Sequence, residues 1–369
     1  MKARAIKSGE RGEATPRALG FAMPAEWEPH AATWLAWPHY VQDWPGKFEP
    51  VPWIFADMVR LIAGGERVNL LVEPGETARV GEKLASVGAD LKQITMIEQP
   101  TDRPWIRDSG PIFVRKGRGK KAELAILDWK FNAWAKYANA ANDDALPAAV
   151  AKRLGMRSWQ PMGVNELSEY QRFVLEGGSI EVNGAGCVLT TEECLLSEIQ
   201  QRNPGIAREQ VEETLGEFLG VEKVMWLGRG IAGDDDTHGH IDDVARFTDA
   251  STIVACVETD KRDANYAATR DNLKRLAKMR DVRGKAFTIV EVPLPNAAYF
   301  KTQRLPASYV NFYICNAGVL VPVFNDAADV GALKILEGCF PGRAVIPVGC
   351  RDLVLGLGAL HCLTQQQPA

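Results

Sequence analysis

The chain has 369 residues, 46% of them hydrophobic and 24% charged, and a formal net charge of −4. This is ordinary globular usage with enough apolar material for a sizeable core, and the weak negative charge argues against a general nucleic-acid binder. Seven cysteines without CxxC or regular spacing exclude a disulfide framework or zinc knuckle, and no apolar run reaches the roughly 18 residues of a membrane span.

The first twenty residues are polar, lack the apolar stretch of a secretory signal, and read as a flexible leader. No linker, low-complexity tract or charge block interrupts residues 21–369, so one domain and a cytoplasmic, reduced-thiol setting are expected. Five of the ten tryptophans fall between Trp27 and Trp53 and read as core in preference to pocket wall. Short β-branched runs then predict strands at 68–72, 94–97, 112–114, 125–127, 188–190, 252–257, 288–292 and 319–324. Helix-like spacing predicts helices over 53–63, 144–154, 207–219, 263–279 and 327–338. Several strands come in pairs with turn residues between, as at Glu181–Cys187, which favours mixed sheets over a purely parallel one. A last apolar strand ending in Leu353-Val354-Leu355 leads into the C-terminus.

Four polar motifs stand among these elements. Trp105-Ile106-Arg107-Asp108-Ser109-Gly110-Pro111 sets an aromatic three residues before an acid, ahead of a strand; alone, Asp108 reads as readily as a turn cap. Leu175-Glu176-Gly177-Gly178 puts a carboxylate after an apolar run, where a buried Glu needs a partner and a solvated strand end needs none. The segment 234–247 holds two of the five histidines and five aspartates. As a strand it would turn His238, His240 and Asp242 to one face and Asp243 to the other. That cluster fits either a metal site or an acid/base histidine beside a cation-binding carboxylate. Last, Gly356 and Gly358 lead to His361-Cys362, a turn-positioned thiol, against the reading of a buried core cysteine. Cys187, Cys256 and Cys315 lie in apolar runs and read as core fillers.

Asp108, Glu176, His240 and Cys362 are separated by 68, 64 and 122 residues, and the last interval is close to twice the others. Recurrence of this kind suits similar modules that each bring a motif to a shared centre. Paired carboxylates match the forked N–H donors of a planar guanidinium, and a thiolate beside a protonated histidine can attack its carbon. The inventory points to hydrolysis of a guanidine.

The motifs MPAEWEPHAATWLAWP, PWIRDSGP, EGGSIEVNG with TTEECLL, DTHGHIDDVARF, ASYVNFYICN and HCLTQQQP resemble those of the agmatine deiminases, within the Porphyromonas-type peptidylarginine deiminase family and the guanidino-group-modifying superfamily. The resemblance runs from about Met23 to Pro368. It implies an α/β fold, a five-bladed pseudosymmetric propeller (pentein) of ββαβ modules around a central site. It further implies Cys362 as nucleophile and His240 as proton shuttle, with Glu176 orienting His240. Asp108 and Asp242 would hold the guanidinium, Trp105 would stack on it, and Gly358 would line the substrate pocket. The implied reaction converts agmatine and water to N-carbamoylputrescine and ammonia with no cofactor and no metal. The implied partner is the small-molecule guanidine, with no nucleic acid and no membrane, and a homodimer is the candidate assembly. Leu357 and Ala359 stand where the family usually has glycine and often asparagine, and Glu181 stands where it commonly has histidine.

Arginine, free or peptidyl, is the alternative substrate. A manganese ureohydrolase using Asp236, His238, His240 and Asp242 would leave the Cys362 motif without a purpose, and a non-catalytic polyamine-binding protein would have no need of the thiol.

Overall fold

The computed structural model describes residues 14–165 and 169–369. Part of the expected leader, residues 1–13, lies outside them. Residues 14–20 are anchored: Thr15 Oγ1 donates to Glu217, Trp159 Nε1 donates to the Ala14 carbonyl at 3.1 Å, and a short 3₁₀ turn spans Arg17–Leu19.

Among the described residues, five sheets share one topology. Their leading strand pairs are Gln365–Pro368 with His30–Ala36, Ile112–Lys116 with Glu123–Leu127, and Glu181–Val182 with Cys187–Thr191. Ala245–Asp249 with Thr252–Val257 and Tyr313–Cys315 with Gly318–Val323 complete the series. Each pair is antiparallel. The second strand of each then takes a parallel neighbour, respectively Arg67–Val72, Arg157–Trp159, Lys223–Leu227, Thr288–Pro293 and Val345–Gly349. Parallel neighbours need a crossover, and the connections carry helices at Val51–Ala63, Leu146–Leu154, Arg208–Leu219, Asn265–Lys278 and Asp329–Cys339. These are the five segments whose apolar spacing predicts helices. In the first, Phe55, Met58, Val59 and Ile62 recur at helical spacing and are all buried.

The first sheet has a fourth strand, Ile94–Glu98, reached through a helix at Thr77–Ser86 that the sequence reading does not include. Only Val80 and Leu84 of that helix are buried, so its apolar stripe is too thin to stand out. Leu353–Gly356 is a 3₁₀ turn, contrary to the strand expected there. One of its carbonyls takes a tryptophan: Trp44 Nε1 donates to the Leu353 carbonyl at 2.8 Å. Trp34, Trp37 and Trp44 are core, as expected, whereas Trp53 is half exposed.

Candidate active site

The segments just before the first strand of each sheet carry the polar motifs. Asp108 lies four residues before Ile112, and Glu176 five before Glu181. Asp242 precedes Ala245 by three, Asn311 precedes Tyr313 by two, and Cys362 precedes Gln365 by three. A shared topology thus delivers one polar group from each sheet.

They converge around two glycines. A Cβ built on Gly178 would fall 2.5 Å from His240 Nδ1, 2.8 Å from Asp108 Oδ1 and 3.1 Å from Asp242 Oδ2. Only a residue without a side chain admits all three groups there. Gly178 N–H also donates to Asp108 Oδ1 at 3.0 Å. A Cβ on Gly358 would meet the Trp105 ring at 2.7 Å and Cys362 Cβ at 3.1 Å, so this glycine lets the ring lie beside the Cys362 loop. Cys362 Sγ lies 3.6 Å from Asp242 Oδ2 and accepts a hydrogen bond from Asn311 Nδ2 at 3.2 Å.

His240 is fully buried, with Nδ1 3.7 Å from Asp108 and Nε2 3.8 Å from Glu176. Burial opposes charge on the ring, but Asp108, Cys194 and Glu176 outweigh it and hold its pKa well above the ordinary value. Glu176 is likewise desolvated, yet Arg202 at 3.0 Å and His240 pull it down to about 2. Burial pushes Asp108 up to about 6 despite His240 and the Trp134 indole, which donates to it at 2.9 Å. The Cys362 thiol is raised well above its usual value by burial and then by Asp242, Asp243 and Asp108. Asp242 goes the other way: His361 overcomes its burial and keeps it ionised.

The histidine–aspartate segment is not a strand. Asp234 accepts from the backbone N–H groups of Thr237, Gly239 and His240, and Ile241–Asp243 forms a 3₁₀ turn. His238 therefore does not share the face of His240; it adopts φ 56° and faces Ser197. Asp243 is not on an outward face either. It is buried and accepts from Asn311 Nδ2 at 3.0 Å. Asp236 is taken by Lys136 at 2.6 Å and Tyr137 at 2.8 Å. Asp236 and His238 thus stand apart from His240 and Asp242, so the ureohydrolase ligand set does not assemble.

Several members were given no role in the site by the sequence reading. His361 bridges Asp242 at 2.7 Å and Glu26 at 2.8 Å, and Glu26 also pairs with Arg107 and Arg246. Arg107 sits on a short helix with its side chain on Glu26, Gln366 and the His361 carbonyl. Glu181 is buried against Arg246 at 2.8 Å, so its charge is paired. Asn311 had a signal: the doubled interval between His240 and Cys362 leaves room for one more motif, and SYVNFYICN occupies it. Arg202 and Trp134 had none. Trp134 lies in a run, Ala133–Ala135, where three consecutive non-glycine residues take positive φ.

Trp105 is 5% exposed; its Nε1 donates to Asp43 at 2.8 Å and its ring packs on Trp44 at 5.4 Å between centroids. Alongside lies a cavity of about 290 Å³ lined by Asp43, Arg103, Lys136, Asp236, Gly356 and Leu357 among others. Its two cations are engaged, Arg103 by Asp43 at 3.3 Å and Lys136 by Asp236.

The sequence model of the Porphyromonas-type peptidyl-arginine deiminases matches residues 22–368. The agmatine deiminase of Pseudomonas putida is 36% identical, with 96% of this chain and 97% of that protein covered. The structure of the Enterococcus faecalis agmatine deiminase "catalyzing its reaction" superposes with a TM-score of 0.88 at 32% identity, covering 98% and 99% of the two chains. A cysteine-to-serine variant of the C. jejuni agmatine deiminase with substrate bound superposes at 0.81 with 28% identity, over 95% and 96%. The chain therefore has the α/β fold of the agmatine deiminases and belongs to the Porphyromonas-type peptidyl-arginine deiminase family.

Proposed function

We propose that this protein hydrolyses agmatine to N-carbamoylputrescine and ammonia through a covalent adduct on Cys362. The observation that carries the reading is the convergence of Cys362, His240, Asp108 and Asp242 about Gly178 and Gly358. Asp108 and Asp242 supply acceptors for the guanidinium, and Trp105 walls the pocket, with Gly358 allowing its ring to reach the reacting centre. Burial, and then Asp242, Asp243 and Asp108, keep the thiol neutral before substrate binds. A bound guanidinium offsets that negative charge and favours loss of the thiol proton to solvent, where it ends on the released ammonia. The Asn311 N–H steadies the resulting thiolate.

Sulfur then forms a bond to the guanidinium carbon, and His240 protonates the terminal nitrogen as its C–N bond breaks and ammonia leaves. Water adds to the S-alkylthiouronium as His240 takes one of its protons; the C–S bond then breaks as the remaining hydroxyl proton passes to the departing sulfur, and the carbamoyl product and the neutral thiol are released. Glu176, fixed by Arg202, faces the ring and supports its charged form. Arginine fits less well, because Arg103 and Lys136 beside the site and Arg107 behind it are already paired, leaving none of the three for its carboxylate.

We infer as well that the five like sheets are the blades of a pseudosymmetric propeller, since each offers its motif from the same topological position. A homodimer and a cytoplasmic setting belong to the same reading. Product analysis with agmatine and arginine side by side tests the function. Ammonia and N-carbamoylputrescine from agmatine are expected; urea and putrescine, or faster turnover of arginine, would overturn it.

A further inference from the structure

We propose that Glu176, Cys194 and His240 form a zinc-binding site whose occupation withdraws the His240 ring from proton transfer. Each residue offers one ligand atom, and these atoms lie within 4.8 Å of one another in a fully buried cluster. Glu176 Oε1 is used by Arg202, but Oε2 has no hydrogen-bond partner among the described residues, and neither has either nitrogen of His240. Buried polar atoms are normally satisfied, so this cluster has unused ligand capacity. Cys194 is held in place: its N–H donates to Thr191 Oγ1 as the short helix Glu192–Leu195 begins.

Thiolate, imidazole and carboxylate are a donor set that zinc takes readily, at bond lengths of about 2.0–2.3 Å, so the three side chains need close by only about an ångström. The thiolate disfavours magnesium and calcium, which take oxygen ligands. Zinc binds the deprotonated thiol and the neutral imidazole, so its entry releases whatever protons those two groups carry. Arg202 on Glu176 at 3.0 Å and Asp108 at 3.7 Å from the ring flank the cluster. The nucleophile is a separate thiol with its own neighbours, Asn311 and Asp242. Metal binding stands on this geometry alone; the inhibition it causes rests on the deiminase reading.

The test is a titration of the metal-free full-length protein with Co²⁺, an optical stand-in for zinc, reading the thiolate-to-metal band in the near ultraviolet. Wild type and Cys362→Ser should both show the band. Cys194→Ser and, as a second variant, His240→Gln should lose it, with zinc affinity by chelator competition falling by about a hundredfold or more. Zinc should inhibit agmatine turnover in wild type and spare Cys194→Ser. A band lost in Cys362→Ser but kept in Cys194→Ser would put the ion on the nucleophile, and no band in wild type would remove the site; either result overturns the proposal. A band in a protein that never turns over agmatine would sink the deiminase reading and leave the metal site standing.

Discussion

Asn311 joins the thiol to the rest of the site. Its amide donates to both Cys362 Sγ and Asp243 Oδ1, while its side-chain oxygen accepts from the His361 N–H at 3.0 Å. A hydrogen bond to a charged group is worth about 1.5–3 kcal/mol, and about 1.4 kcal/mol corresponds to one pKa unit. Asn311→Ala should therefore move the pH dependence of iodoacetamide labelling at Cys362 upward by about one to two units. An unchanged profile would reduce Asn311 to scaffolding. Asp108 supplies a second pH signature. Burial pushes its carboxyl up to about 6, and the proposed mechanism needs it ionised to hold a guanidinium, so kcat/KM should climb as pH rises through that value. The climb should vanish in Asp108→Asn; a limb that persists there belongs to another group. The two neighbouring aspartates should also separate. Asp242 is held ionised beside Cys362, so Asp242→Asn should lower kcat by about a hundredfold or more, on the scale that misplaced reacting groups produce. Asp243 is raised well above its usual value by burial and by Asp242 and Asp234, and a protonated acid is already close to an amide in charge and shape. Asp243→Asn should keep near wild-type turnover. Strand alternation would give the same outcome for a different reason, but the 3₁₀ turn at Ile241–Asp243 removes that argument.

At the scale of elements, the turns before the strands do the positioning. The C-terminal turn runs from Leu353 through Gly358, and Leu357 within it has φ 66° and ψ 24°. Left-handed backbone costs an ordinary residue about 1–2 kcal/mol, so the chain holds with leucine a bend that glycine would take without that cost. Gly358 is the stricter position. Gly358→Ala should push the Trp105 ring off the Cys362 loop and sharply reduce turnover. Gly331→Ala is the control, since a Cβ there meets no atom within 4 Å. Equal loss in both variants would mean a general effect of alanine and not a packed wall. Helices and strands with strong apolar periodicity were legible in the sequence because burial imposes that pattern. The turn at Leu353–Gly356 was not, because a short apolar run does not distinguish a strand from a 3₁₀ turn packed on Trp44.

Across the whole molecule, the five crossover helices could be read from local spacing, and the intervals between Asp108, Glu176, His240 and Cys362 carried the modular repeat. What stayed hidden is what depends on distant partners. Glu26 lies 335 residues from His361, and Arg202 reaches Glu176 across 26 residues; no local pattern encodes either pair. Trp105 is visible as a motif residue, yet only the fold shows it pinned by Asp43 and Trp44. The central claim is that Cys362 forms a covalent bond to the substrate carbon. Its most direct test is intact-mass analysis of protein acid-quenched during turnover of agmatine, followed by peptide mapping. An adduct equal to agmatine less one ammonia, carried on Cys362 and absent from Cys362→Ser, is the expected result; steady turnover with no such adduct, or a Cys362→Ser variant that retains substantial activity, would contradict it.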